Sequence, residues 1–368
     1  MKLKDNVSWL MGKVQRSLFS HLDECLVSPL TEQEKRLVKV LELVLVEKYV
    51  PKSASTQWFG RPIKEREAIA RSFVAKAVFG YQHTRSLINA LSSAPNLRAI
   101  CGFGLHGKVP SESTFSRAFA EFAGSGLGTT VHDALIKEHL SAELVGHVSR
   151  DATAIEGREK PVKKVKKAKV SNKRGRPARG ELREPPEKKR IDVQRGQSAH
   201  DAIALLPVVC DRGVKRNAKG YTETWNGFKL HADVNDAGLP LSAVLTSASV
   251  HDSQAAIPLM KLTSGKVTYL YDLMDAAYDA SAIREESKKL GHVPIIDRNT
   301  HGKEALPMAP HEARRYNERS ASERFNSRLK EEFGGRSVMV RGAAKVMQHL
   351  MFGVVALFAD QLLKVTGC

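Results

Sequence analysis

The sequence predicts an α/β (α+β) protein: a mixed sheet with flanking helices, preceded by an all-helical region and interrupted by a basic insert. Three observations predict it. Up to about residue 140 the apolar side chains recur at helical spacing. From Leu144 onward strand-like segments alternate with helical ones. Between the first strand and the next lies a stretch with almost no apolar residues. The boundaries that follow are 1–142 for a helical domain and 143–368 for the mixed unit, with 158–196 as the insert inside it.

In the helical part, Thr31-Glu32-Gln33-Glu34 has the form of a capping box, and Leu37, Val40, Leu41 and Val44 follow on one face. A helix over about 64–79 turns Ile69, Phe73, Val74 and Ala77 inward, and another runs over about 83–90. Pro95 and the glycines of 102–107 break the pattern. Pro110-Ser111-Glu112-Ser113-Thr114-Phe115 opens a helix that buries Phe115, Phe119 and Phe122, and a further helix spans about 128–140. Residues 1–30 carry no clear period. Several helices on short turns can hold a helix-turn-helix for a DNA groove, or simply form a packed dimer or cap domain.

In the mixed unit, Leu144 to Asp151 reads as a short strand ending in an acid. Phe228 to Val234 alternates apolar and polar, Asn235-Asp236-Ala237-Gly238 is a turn, and 241–247 is the returning strand. His251-Asp252 caps a helix reaching about Leu262. A strand over 267–273, a helix over 280–290 with Asp279 as its N-cap, and a short strand over 293–296 come next. A long apolar helix from about Ala343 to Val365 closes the chain. Its richest part, 347–363, is interrupted by His349, Asp360 and Gln361, so it reads as a buried helix rather than a membrane span.

The chain has 368 residues, with 58 Lys+Arg against 40 Asp+Glu and a net charge of +18. A charge of that size and sign points to a polyanionic partner, most simply nucleic acid. The four cysteines have no CxxC spacing, which argues against a zinc site or a disulfide framework and suits a reducing compartment. No apolar run near the start suits a signal peptide. A cytoplasmic, nucleoid-associated protein is expected.

Residues 158–190 carry fifteen Lys/Arg and four Glu, about +11 of the total, with no aromatic residue. Such a segment cannot bury enough surface to offset its ordering entropy, so disorder is expected. Within it Lys173-Arg174-Gly175-Arg176-Pro177 resembles the core of an AT-hook, in which Arg174 and Arg176 would enter a narrow A·T-rich minor groove. The plainer reading is a non-specific phosphate-binding tether.

Residues 316–330 contain no helix breaker and favour a helix. At about 100° per residue, Tyr316, Arg319, Glu323 and Lys330 share one stripe about 21 Å long. A carboxylate there can hold a divalent cation, and the cations can hold phosphates. A solvated face with intrahelical ion pairs is the plainer reading. The spacing Tyr, two residues, Arg, three residues, Glu, six residues, Lys resembles, without a gap, the signature around the third acid of DDE transposases of bacterial insertion sequences. The Pro-Ser-x-Ser-Thr-Phe segment at 110–115 resembles the helical head of the same enzymes.

The resemblance implies an RNase H-like catalytic core and supplies two further acids. Asp151, in Asp151-Ala152-Thr153, is similar to the family's first acid. Asp275, in Asp275-Ala276-Ala277-Tyr278-Asp279, is similar to its second, although Ala276-Ala277 stand where a basic-Gly pair is more usual. Asp272 competes for that role, but its odd offset on a strand aims it at the opposite face. Asp252 is read first as a helix cap. The interval from Asp275 to Glu323 is too short for the β-rich insertion that some relatives carry.

On this resemblance Asp151, Asp275 and Glu323 would be catalytic and would bind two Mg²⁺ or Mn²⁺ ions, for cleavage at element ends and strand transfer into target DNA. Tyr316, Arg319 and Lys330 would hold DNA phosphates. The partner is double-stranded DNA, with a homodimer or larger assembly on it and no membrane. The alternatives are an inactive DNA-binding derivative and a nuclease of the same fold without strand transfer.

Overall fold

The structure is a computed structural model, and it describes residues 28–51, 65–104, 108–162, 188–216, 219–299 and 307–367. The AT-hook-like residues Arg174 and Arg176 lie outside the described residues, as does most of the basic insert.

The chain opens with α1 (Glu32–Val44), whose capping box forms as the sequence implies: the Thr31 hydroxyl accepts from Glu34 N, and Glu34 Oε2 accepts from Thr31 N at 2.8 Å. The following helices are α2 (Arg66–Val78), α3 (Thr84–Ser93), α4 (Pro95–Ile100), α5 (Glu112–Ser125) and α6 (Leu127–His139). The short α4 was not expected. Pro95 sits in its first turn, where the missing N–H is no loss, so here proline starts a helix instead of breaking one.

The sheet is built from β1 (Leu144–Glu156), β2 (Asp211–Arg216), β3 (Thr222–Asn235), β4 (Pro240–Ser247), β5 (Thr268–Met274) and β6 (Val293–Ile296). Between them come α7 (Arg190–Arg195), α8 (Ala199–Ala204), α9 (Ser253–Ser264) and α10 (Ser281–Lys289). After β6 come α11 (Pro310–Tyr316), α12 (Ser320–Glu331) and α13 (Ala343–Thr366). The order across the sheet is β4-β3-β1-β5-β6, with β1, β3 and β4 antiparallel and β5 and β6 parallel to β1. This is the mixed RNase H-like sheet that the resemblance implied.

Four sequence-based expectations need correction. The first strand does not stop at Asp151 but runs on to Glu156, because 151–156 pair with the extended β3. The insert ends sooner than 196: α7 is folded, Gln194 is buried, and Lys261 Nζ of α9 donates to the carbonyls of Gln194, Arg195 and Gln197 at 2.7–3.0 Å. Asp279 does not cap α10 but accepts from Arg284 and from Asn299 N. Strand β2 went unread. It pairs with the first half of β3, and that ribbon leaves the sheet at Gly227, where φ is +153° and a Cβ would sit 2.2 Å from Ile155 O.

One large apolar core runs from the helical head into the sheet. Phe73 of α2 meets Phe115, Phe119 and Phe122 edge-on and stacks on Phe352 of α13 at 5.6 Å between ring centroids. Helix α13 is long and apolar enough to cross a membrane by composition, yet 83% of its most apolar window is buried in the protein. Asp360 of α13 joins three elements through Arg36 of α1 at 2.5 Å, Arg328 of α12 at 2.6 Å and Lys364 at 3.0 Å. The first and last helices thus pack as one body, and α12 is pinned to both.

Candidate active site

Strand pairing puts two acids together. In the parallel pair β1·β5, Ser149 faces Leu273 and Arg150 faces Met274. The next step sets Asp151 beside Asp275, whose backbone is still extended at φ −78°, ψ 177°. Side chains alternate across a sheet, so Asp151 and Asp275 share one face while Arg150 and Asp272 share the other. Asp275 Oδ1 accepts from Ala277 N at 2.9 Å, which fixes its carboxylate at the strand end. Asp151 Oδ2 accepts from Asn326 Nδ2 of α12 at 3.0 Å.

Both acids resist ionisation. Burial, added to by the charges of Asp275 and Asp252, pushes the Asp151 carboxyl up to about 6. Asp275 is raised too, by burial first and then by Asp252 and Asp297. The Arg319 guanidinium pulls both the other way, and its own affinity for a proton is raised by Tyr316, Glu323, Asp151 and Asp275. It is the cation the acids share.

Glu323 is ion-paired with Arg319 and its side chain is 57% exposed. Arg319 also lies over the Tyr316 ring, 5.7 Å from its centroid. Burial, with Asp297, Asp275 and Glu323, pushes the Tyr316 hydroxyl up to about 12. Arg319 and Tyr316 thus lie within electrostatic reach of the acids, and Glu323 is tied to them through Arg319. Lys330 stands apart: it lies two turns along α12, its ammonium lowered by burial and by the neighbouring Lys215 and Arg336.

The signature is not one continuous helix. Residues 317–319 form a 3₁₀ turn between α11 and α12, and the carbonyl of Glu318 there accepts from the Ser149 hydroxyl of β1 at 3.1 Å. This bond from strand to helix backbone docks the signature on the acid-bearing face of β1 at the point where the helix tightens.

The opposite face of β1 carries a fully buried ionic network. Arg150 meets Asp233 at 2.7 Å and Asp272 at 3.3 Å, all three with no exposed side chain. Thr263 donates to Asp233, and Tyr269 and Ser287 donate to Asp272. Asp272 is therefore a structural partner of Arg150, as its odd offset implied.

Asp252 occupies the cap position of α9 but makes no capping bond. Its Oδ1 accepts from Lys229 Nζ at 2.8 Å instead. Its charge is felt by Asp151, Asp275 and His231. His231 is buried, with Nε2 on Thr246 at 2.9 Å, and burial pushes it down to about 4, so it is neutral. The Tyr278 hydroxyl is buried near the same acids and has no partner among the described residues. Asn326 escaped the sequence reading although, three residues past Glu323, it shares that helix face.

The donor set suits a hard divalent cation: oxygen ligands only, with two adjacent carboxylates raised chiefly by burial and both further raised by the charge of Asp252. Among the described residues, however, no three His, Cys, Asp or Glu side chains are gathered tightly enough to hold a metal ion. Glu323 is the outlying member, held by Arg319.

Residues 190–359 match the family model described as a transposase DDE domain, and residues 26–121 match one described as a transposase domain. The chain thus carries a DDE transposase domain behind a transposase head, the make-up of an insertion-sequence DDE transposase. Asp275 and Glu323 fall inside the first match, and Asp151 lies ahead of it, across the basic insert. No curated protein and no solved structure matches the chain.

Proposed function

We propose that this transposase cuts DNA at the ends of its element and joins the freed 3′ ends to target DNA, with Asp151, Asp275 and Glu323 as the catalytic acids. The observation that carries this reading is the placement of Asp151 beside Asp275 under the helix that bears Glu323. A divalent cation, Mg²⁺ or Mn²⁺, would be held as a pair of ions by these three carboxylates and would activate the attacking oxygen and stabilise the leaving one.

The side chains around the acids prepare them for that task. Asn326 fixes the Asp151 carboxylate and the Ala277 N–H fixes that of Asp275. Arg319 holds Glu323 at the edge of the site and offsets the charge of the other two acids. With metal ions bound, Glu323 would be needed as a ligand beside Asp151 and Asp275, and Arg319 would then be free for a DNA phosphate. Tyr316 lines the same edge. Lys330, with Lys215 and Arg336, supports the duplex about 10 Å further along α12.

The test is a strand-transfer assay with a pre-cut element end, purified protein and Mg²⁺. Joined product that disappears in Glu323→Gln supports the reading. Hydrolysis without joining would make the chain a nuclease of the same fold. Binding without either reaction would make it a DNA-binding derivative.

A further inference from the structure

The ribbon formed by β2 and the first half of β3 stands apart from the sheet, which it leaves at Gly227. Six residue pairs give it a length of about 20 Å. Side chains alternate along each strand, so the register sorts them onto two faces. One face carries Gly213 opposite Trp225 and Lys215 opposite Glu223. The Trp225 ring lies across Gly213, where a Cβ would sit 2.3 Å from it, and Lys215 is ion-paired with Glu223 at 3.2 Å. The members of that face satisfy one another.

The other face carries Arg212 opposite Asn226 and Val214 opposite Thr224, with Thr222 beyond. All five are exposed, Val214 to 59%. None is acidic, and Arg212 Nη2 reaches the Thr224 hydroxyl only at 3.5 Å. Glu156, at the end of β1, lines the hollow at the root of this face together with Arg212, Thr224 and Asn226. The ribbon also has a fixed place beside the signature helix. Helix α12 packs on β1 and β3, and the charges of Lys215, Arg336 and Glu156 all act on Lys330. A duplex whose phosphates rest on Lys330 and Arg336 therefore passes the ribbon.

We propose that this ribbon enters the major groove of that duplex and reads base edges there with Arg212, Asn226, Thr222, Thr224 and Val214. The proposal rests on the transposase reading, which supplies the DNA. The major groove is about 12 Å wide and admits a two-stranded ribbon. The side-chain types fit its code: arginine pairs with guanine, asparagine with adenine, threonine with either, and an apolar side chain meets the thymine methyl. Phosphate contacts from Lys330 and Arg336 set position, and the ribbon supplies sequence preference.

The test is a selection from a pool of random-sequence duplexes with the full chain. The unsubstituted protein enriches a motif. In the double variant Arg212→Ala, Asn226→Ala, two or more adjacent positions of that motif lose their preference while the others keep it. Affinity for the motif-bearing duplex falls about 10–100-fold, and affinity for an unrelated duplex changes by no more than about threefold. Both positions are exposed, so the variant keeps its Tm. Lys330→Ala, by contrast, weakens every duplex alike and leaves the motif intact. The same motif in the double variant overturns the proposal, and so does an unsubstituted chain that enriches none. A changed oligomeric state with the motif kept makes the face an interface between copies and overturns it too. Cleavage by the unsubstituted protein, read separately, keeps the two readings apart. Motif loss in the variant without any cutting keeps the ribbon and removes the acids, whereas cutting with an unchanged motif does the reverse.

Discussion

Asp151 of β1 and Asp275 at the end of β5 stand next to each other on one face of the sheet, one step beyond the Arg150–Met274 pairing. They are 124 positions apart in the chain, with the basic insert between them. Holding them there has a cost, visible in the raised affinity of both for a proton, which burial causes first and nearby acids increase.

Replacing Asp151 with Asn should therefore stabilise the fold while it abolishes cutting. Asp151 takes up its proton at about 6, against 3.8 for a free carboxyl. The folded state holds that proton more tightly, so the destabilising charge is fully present above pH 6 and is relieved as pH falls toward 4. Asp151→Asn is expected to gain about 1–2 kcal/mol at pH 7.5, and the gain should shrink across that window. Urea unfolding at pH 7.5 and pH 4.5 checks it. A loss of stability at pH 7.5 would show that the buried Asp151 charge does not burden the fold.

Millimolar Mg²⁺ should raise the Tm of the unsubstituted chain by a few degrees, since an ion that binds only the folded state stabilises by mass action. The same addition should do little for Asp151→Asn. Equal shifts in both proteins would place the ion elsewhere.

Glu323→Gln removes one charge from the exposed edge of the site and keeps its shape. Cleavage of an element end should fall by about 100-fold or more, as expected when a group that stabilises developing charge is lost. Duplex affinity should stay within about twofold, because Arg319 is then freed to meet phosphate. Retained cutting would refute the role of Glu323.

Asp360 ties α1, α12 and α13 together, and its titration runs the other way from that of Asp151. Burial alone would raise it, but Arg36, Arg328 and Lys364 hold it down at about 2. Its contribution to stability is present above about pH 4 and is lost as pH falls through 2. Asp360→Asn should cost about 1–3 kcal/mol at pH 7, because Arg36 and Arg328 then keep Glu332 as their only carboxylate partner. An unchanged denaturation midpoint would mean that the apolar core alone joins the head to the signature helix.

Deletion of residues 163–187 removes much of the chain's excess positive charge. Binding to duplex DNA should weaken, and the slope of log affinity against log salt should become shallower by several units. Titration at two or more salt concentrations measures this, and an identical slope would deny the insert a grip on phosphates.

Much of the fold was legible along the chain. The capping box at Thr31, the phenylalanines of α5, the turn at Asn235–Gly238 and the long apolar α13 all appear where local pattern puts them. Strand β2 was not legible, because Gly213 and the exposed Val214 leave it no alternating apolar face. The break at 317–319 was also hidden. Nothing in Asn317-Glu318-Arg319 opposes a helix, and the bond that meets its backbone at the break comes from Ser149, 169 residues away.

The candidate site divides in the same way. The sequence, through its resemblance to DDE transposases, named the candidate groups: Asp151, Asp275, Glu323 and the signature residues Tyr316, Arg319 and Lys330, since motif and spacing are properties of the chain. The tertiary structure decided what those groups meet. It set Asp151 against Asp275, turned Asp272 to Arg150 on the far face, bound Glu323 to Arg319 and left Lys330 two turns away. The reason is physical: strand register and helix docking are fixed by burial between distant segments, and a one-residue slip of β5 would have exchanged Asp275 for its neighbours.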